Sequence, residues 1–108
     1  MVDPYIDQTI FYRYLNGIDS GVEVIIVTNS KNLKGERLKD FESVESLFKQ
    51  EYKFYKRVSR GNLHDRYLLT EASAFSLGGS IKDAAIKSDY SVIQLGPDKK
   101  DELLKEYS

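Results

Sequence analysis

Six consecutive residues, Val22-Glu23-Val24-Ile25-Ile26-Val27, constrain the fold of this chain most. The run is short, β-branched and nearly continuous in apolar character, which suits a strand buried on both faces. Such strands belong to parallel sheets. Leu38, Phe41, Val44, Leu47 and Phe48 recur at three- and four-residue intervals and predict a helix over residues 35–50. Residues 28–35 are polar and turn-rich and read as the loop between the two.

The remaining elements keep the same alternation. Ile10, Phe11, Tyr14, Leu15 and Ile18 predict an amphipathic helix over residues 9–18, with Asp7 as N-cap and Gly17 ending the last turn. Residues 52–58 read as a half-exposed strand, with Tyr52, Phe54 and Val58 on one side and Lys53, Tyr55 and Arg57 on the other. Ser59-Arg60-Gly61-Asn62 is a turn. Residues 63–70 and 74–77 predict two strands joined at Glu71-Ala72-Ser73. A Gly78-Gly79 corner leads into a helical turn over residues 81–87, an apolar strand over 91–95 and a last helix over 98–107. Pro97 lies near the start of that helix, and Asp98 and Asp101 sit at its positive end. The order predicts an α/β protein with a mixed sheet sandwiched by helices. At the N-terminus, Asp3-Pro4-Tyr5 reads as the exit from a buried strand, although only Met1 and Val2 precede it. The expectation is one domain over residues 1–108, cut from a longer protein with its first strand shortened.

Size and composition narrow the function classes. A chain of 108 residues builds one domain with a small core. No apolar run approaches the roughly 20 residues that cross a bilayer, and the first residues lack the regions of a signal peptide, so the cytoplasm is the default compartment. There is no cysteine, which excludes a disulfide framework and a thiolate metal site. A single histidine excludes a multi-histidine zinc site within one chain. Neither a metal nor a cofactor is therefore expected. The net charge of -1 does not advertise nucleic-acid binding. Its distribution is less neutral: Lys49, Lys53, Lys56, Arg57, Arg60 and Arg66 face only Glu51 and Asp65 in that stretch. Tyr52, Phe54 and Tyr55 lie among those cations, the ingredients of a strand-binding surface. The plainer reading is a solvated charged face with Tyr52 and Phe54 in the core.

The lone histidine, His64, stands in the densest group of chemistry-bearing residues. Arg66 comes two positions later, then Glu71, the Gly78-Gly79 corner, Ser80, Lys82 and Asp83. This segment resembles the phospholipase D superfamily, whose motif is H-x-K, four residues, D, six residues, G-S-x-N. His64 matches the histidine, Arg66 stands at the lysine position and Glu71 at the aspartate. Gly78 matches the glycine. A one-residue shift places Ser80 on the phosphate and Lys82 at the asparagine position. A subgroup with H-D-R, a hairpin, then G-x-S-x-K-D, often preceded by D-P-Y, is more similar still. Here those residues are His64-Asp65-Arg66, Gly78-Gly79-Ser80-Ile81-Lys82-Asp83 and Asp3-Pro4-Tyr5.

The resemblance implies a phospholipase D-like sheet and a metal-independent phosphodiesterase of the nuclease type that works through a phosphohistidine at His64. With one histidine per chain, the second imidazole comes from a homodimer partner. By the same resemblance Arg66 and Glu71 join His64 in catalysis, and Arg66, Gly79, Ser80 and Lys82 bind the phosphate. Nucleic acid is the expected substrate, and a phospholipid headgroup the lesser one. Three positions depart from the family pattern: arginine for lysine, glutamate for aspartate and lysine for asparagine. They favour the alternative of a catalytically inactive module that binds phosphate groups of nucleic acid or lipid. A third option is an oligomerisation domain. Taken singly, each residue also has a structural reading. Arg66 and Glu71 read as a surface ion pair worth under about 1 kcal/mol, Gly78-Gly79 as a sheet corner, and Ser80 as a cap on the next helical turn.

Overall fold

A computed structural model describes residues 1–83 and 90–107, with Lys82 described by its backbone alone. Among the described residues five strands form: β1 (Val24–Thr28), β2 (Tyr55–Ser59), β3 (Tyr67–Leu69), β4 (Ala74–Leu77) and β5 (Val92–Gln94). Two α-helices accompany them, α1 (Gly35–Glu51) and α2 (Pro97–Tyr107). The apolar run lies in a parallel pair, as a strand covered on both faces suggests. β1 runs parallel to β2, Val24 opposite Tyr55 and Thr28 opposite Ser59, with α1 as the crossover. β3, β4 and β5 form an antiparallel meander, Leu68 opposite Phe75 and Ser76 opposite Ile93.

The N-terminal residues join these two halves. Val2 bridges Val27 in parallel and Tyr67 antiparallel. Four backbone bonds hold the joint: Val2 N–H to Tyr67 O and Tyr67 N–H to Val2 O, each 2.8 Å, and Asp3 N–H to Val27 O and Val27 N–H to Met1 O, each 2.9 Å. Met1 and Val2 thus occupy the centre of a mixed sheet, between β1 and β3 and parallel to β1. The sequence reading of Asp3-Pro4-Tyr5 as the exit from a buried strand matches that placement.

Side-chain alternation assigns the two faces. Val24, Ile26, Leu68, Phe75 and Leu77 pack with Ile10, Phe11, Phe41 and Phe48, so α1 and the first helical segment cover one face. Val27, Leu63, Tyr67 and Leu69 pack with Leu103 and Tyr107, so α2 covers the other. The first segment is wound as a π-helix over Phe11–Leu15 rather than as the expected α-helix. Its start agrees with the expectation, Asp7 accepting a hydrogen bond from Thr9 N–H at 3.0 Å, but it ends at Leu15, short of the expected residue 18: Asn16 is extended and Gly17 takes φ +86°.

One expectation fails in a physically informative way. Tyr55 and Arg57, placed on the outer side of the 52–58 segment, face the core instead. Glu45 on α1 is buried, and Arg57 Nε donates to its Oε2 at 2.8 Å, while the Tyr55 hydroxyl donates to the same oxygen. A buried carboxylate on the crossover helix needs charged partners, and that requirement sets which side of β2 turns inward. Phe54 is left exposed, and Tyr52 caps α1 by donating its N–H to Phe48 O at 2.9 Å. Among the described residues no helix is long and apolar enough to cross a membrane.

Candidate functional site

The carboxyl ends of β1 and of the Met1-Val2 segment, the start of β3 and the end of β4 converge at one end of the sheet. In α/β folds this end is where the chain leaves the sheet and where polar groups gather. Asp3 is the anchor. It is fully buried, at 0 % exposure. Its Oδ1 accepts from Tyr5 N–H at 2.9 Å, and its Oδ2 accepts from Ser80 Oγ at 2.9 Å and from Ile81 N–H at 2.6 Å. Three donors around one buried carboxylate are the arrangement that makes burial of the charge tolerable.

That network corrects the role expected of Ser80. Its side chain is buried, and its hydroxyl lies against Asp3 and, at 3.1 Å, against Tyr5 O. A hydroxyl with one proton and two protein acceptors has none to give a phosphate. Ser80 latches the glycine corner to the N-terminal strand. Gly78 is required at the corner by close approach: a β-carbon there would fall on the Ser91 hydroxyl and within 3.1 Å of the Ser91 backbone N and O. Gly79, expected to cradle phosphate, has its carbonyl occupied by the Tyr90 hydroxyl at 2.9 Å.

Arg66 lies beside this anchor. Its guanidinium carbon sits 5.4 Å from the centre of the Tyr5 ring, a cation–π contact. Its backbone carbonyl accepts from Leu77 N–H at 3.0 Å, so the start of β3 is pinned to the end of β4. Its Nε is buried and has no hydrogen-bond partner among the described residues. Burial, and then the charge of Asp3, raise the Tyr90 phenol above its ordinary range, while Arg66 pulls the other way. Tyr90 is therefore a neutral hydroxyl at physiological pH.

His64 is exposed, between buried Leu63 and half-buried Arg66. Its loop is held from both sides. Asn29 Nδ2 donates to Gly61 O at 3.2 Å, Arg60 N–H donates to Thr28 O at 2.9 Å, and Leu63 is packed among Val2, Val27 and Leu103. Leu63, Tyr67 and Leu69 face α2, whereas Leu68 faces α1. His64 precedes Arg66 by two residues in the segment that leads into β3.

No family model matches the chain, and no curated protein or solved structure does.

Glu71 is not part of this group. It lies at the hairpin tip beyond Leu69, at the other end of β3, where its carbonyl accepts from Lys100 Nζ at 2.9 Å. The motif spacing that suggested a histidine partner runs along a strand, and a strand carries residues apart at about 3.3 Å each. The Lys82 side chain and residues 84–89, within the expected helical turn, lie outside the described residues. The basic and aromatic stretch also disperses. Arg57 is committed to Glu45, and Arg60 donates to Glu106 O at 2.6 Å and stacks over Tyr107. Tyr52 and Tyr55 pack with Phe48. Lys53 and Phe54 stay exposed but precede β2, at the end of the sheet away from His64. Sequence reasoning missed Asp3 and Tyr90 as site residues. Asp3 had a signal, its place directly after a buried strand; Tyr90 had none.

Proposed function

We propose that this chain is a phospholipase D-like domain whose Arg66–His64 corner takes a phosphodiester group, and that it acts as a phosphodiesterase of the nuclease type when a homodimer brings two His64 imidazoles together. The carrying observation is Arg66: a guanidinium oriented by Tyr5, with a buried Nε that lacks a partner among the described residues, is a donor in search of an anion. The exposed imidazole two residues before Arg66 supports the reading. In the reaction, one His64 nitrogen attacks phosphorus as the P–O bond to the leaving group breaks. The partner subunit's imidazolium gives that oxygen its proton. Water, deprotonated by the partner's imidazole, then displaces the first histidine. Arg66 neutralises the charge gathering on the phosphoryl oxygens.

A second reading, phosphate binding without turnover, is favoured by two specific observations. Glu71 lies at the far end of β3, and no described carboxylate bonds the His64 ring to fix its tautomer. One set of measurements separates the two. Binding of inorganic phosphate, monitored by calorimetry, weakens about tenfold or more in Arg66→Ala, the loss of one charge-assisted contact, and is unchanged in Lys53→Ala. Equal effects of the two variants would leave only diffuse electrostatics. With bis(p-nitrophenyl) phosphate as a generic diester, turnover is abolished by His64→Ala, survives EDTA and falls faster than the wild-type fraction when wild-type and His64→Ala chains exchange subunits. Phosphate binding without turnover in the wild type would establish the second reading.

A further inference from the structure

Within Asp3-Pro4-Tyr5-Ile6, only Tyr5 leaves the interior. Asp3, Pro4 and Ile6 are fully buried, whereas Tyr5 is 44 % exposed. The backbone beneath it is fixed. Tyr5 N–H donates to Asp3 Oδ1 at 2.9 Å, its carbonyl lies 3.1 Å from Ser80 Oγ, and the Pro4 carbonyl accepts from Asn32 Nδ2 at 2.8 Å. Arg66 takes one face of the ring, its guanidinium carbon 5.4 Å from the centre. We propose that the other face of Tyr5 is a stacking platform for an unpaired nucleobase next to a phosphate held by Arg66, so that the corner takes single-stranded nucleic acid. This rests on the phosphate reading of the Arg66 corner and narrows it.

A single exposed ring is ordinary at a protein surface. Tyr5 differs in what stands behind it, a guanidinium whose buried Nε has no hydrogen-bond partner among the described residues. Phe54 is exposed as well, but it lies at the end of the sheet away from His64. Stacked rings lie about 3.5 Å apart, so a base on the outer face of Tyr5 is roughly 9 Å from the Arg66 guanidinium carbon. One nucleotide of an extended strand spans from such a base to a phosphate on the guanidinium. Rigidity adds to the fit. A tyrosine has two rotatable bonds, and on a backbone held by Asp3 it offers a large surface at little entropic cost on binding.

The surroundings favour a base over an acyl chain. Tyr5 joins neither apolar cluster, and its contacts are with Asp3, Ser80 and Arg66. It is an aromatic surface set among charged and polar groups, the combination that holds a strand by its bases and its backbone together. Stacking is tolerant of sequence because every base has a π-face. A base inside a duplex already has both faces covered and its edge paired. The expected preference is therefore for single strands over duplex, with little regard for base identity.

The chain has no tryptophan, so Tyr5→Trp supplies a single fluorescent reporter. Tetradeoxyadenylate should quench its emission saturably, while inorganic phosphate and an abasic tetramer should not. Phe54→Trp, at the far end of the sheet, should stay unquenched. In calorimetry the unaltered chain should bind tetradeoxyadenylate about tenfold more tightly than the abasic tetramer. Tyr5→Ala should bring that ratio close to one, and Tyr5→Phe should keep it. The ratio cancels any change in Arg66 orientation that follows loss of the ring. Equal binding with and without bases, or a ratio that survives Tyr5→Ala, would overturn the proposal and leave the phosphate corner standing. Equal binding of inorganic phosphate by the unaltered chain and by Arg66→Ala would overturn both. A blue shift of the reporter on phosphatidylglycerol vesicles, without quenching by the oligonucleotide, would overturn it in favour of a lipid surface.

Discussion

Asp3 and Ser80 show how far apart a motif residue and its purpose can lie. The serine aligns with a phosphate-binding position, yet its nearest acceptor is a carboxylate 77 residues away. Their inequality is testable. Ser80→Ala removes one donor from Asp3 and leaves two others, a loss of about 1 kcal/mol. Asp3→Ala leaves the Ile81 N–H without its acceptor in a buried site, at about 1–3 kcal/mol for that unsatisfied group, and takes the acceptor of Tyr5 N–H as well, while the Ser80 hydroxyl keeps Tyr5 O. Urea unfolding should rank Asp3→Ala well below Ser80→Ala, and equal losses would show that the latch is not centred on Asp3. Because Ser80 stands behind the corner rather than in it, Ser80→Ala should leave phosphate affinity nearly unchanged.

Between α1 and β2, the decisive contact is Glu45 with Arg57 and Tyr55. Burial alone would raise the Glu45 pKa, but the hydrogen bonds from Arg57 and Tyr55, with the Arg57 charge, hold it below the ordinary carboxylate value. The unfolded chain, with a glutamate pKa of about 4.3, then binds more protons than the native one in the acid range. The stabilisation is complete above that value and is lost as pH falls through it towards the lower native pKa. Glu45→Gln should therefore flatten the fall in stability below about pH 5, read by denaturant titration at several pH values; an unchanged acid profile would contradict it. The same contact explains what the sequence shows and what it hides. The helix over residues 35–50 is legible because Leu38, Phe41, Val44 and Phe48 are local and periodic, and it spans Gly35–Glu51. The parallel β1 is legible because its apolar run needs two covered faces. The side of β2 that turns inward is not legible, since it depends on one carboxylate across the crossover. At the corner, the sequence shows His64 two residues before Arg66, in the segment that leads into β3. It misassigns Ser80 and Glu71, because a spacing carries no direction.

At the scale of the whole molecule, the sheet is two locally built units, β1-α1-β2 and the β3-β4-β5 meander, held together through Val2. Proline at Val2 would remove the N–H that bonds Tyr67 O and place its ring in the middle of the sheet, at about 3 kcal/mol or more. Amide exchange should then accelerate together at Val27 and Tyr67, the two N–H groups that bond the N-terminal segment, and much less at the β3-β4 pairs. Uniform acceleration would mean that the halves do not behave as units. The joint also sets a timetable for synthesis. The partners Tyr67, Ser80 and Ile81 are synthesised more than sixty residues after residues 1–3. Until then the segment has only β1 to pair with, and the Asp3 carboxylate lacks its Ser80 and Ile81 donors. Native structure around the corner therefore closes late and over a long loop, which places the search for the correct partner, rather than the making of any element, at the end of folding.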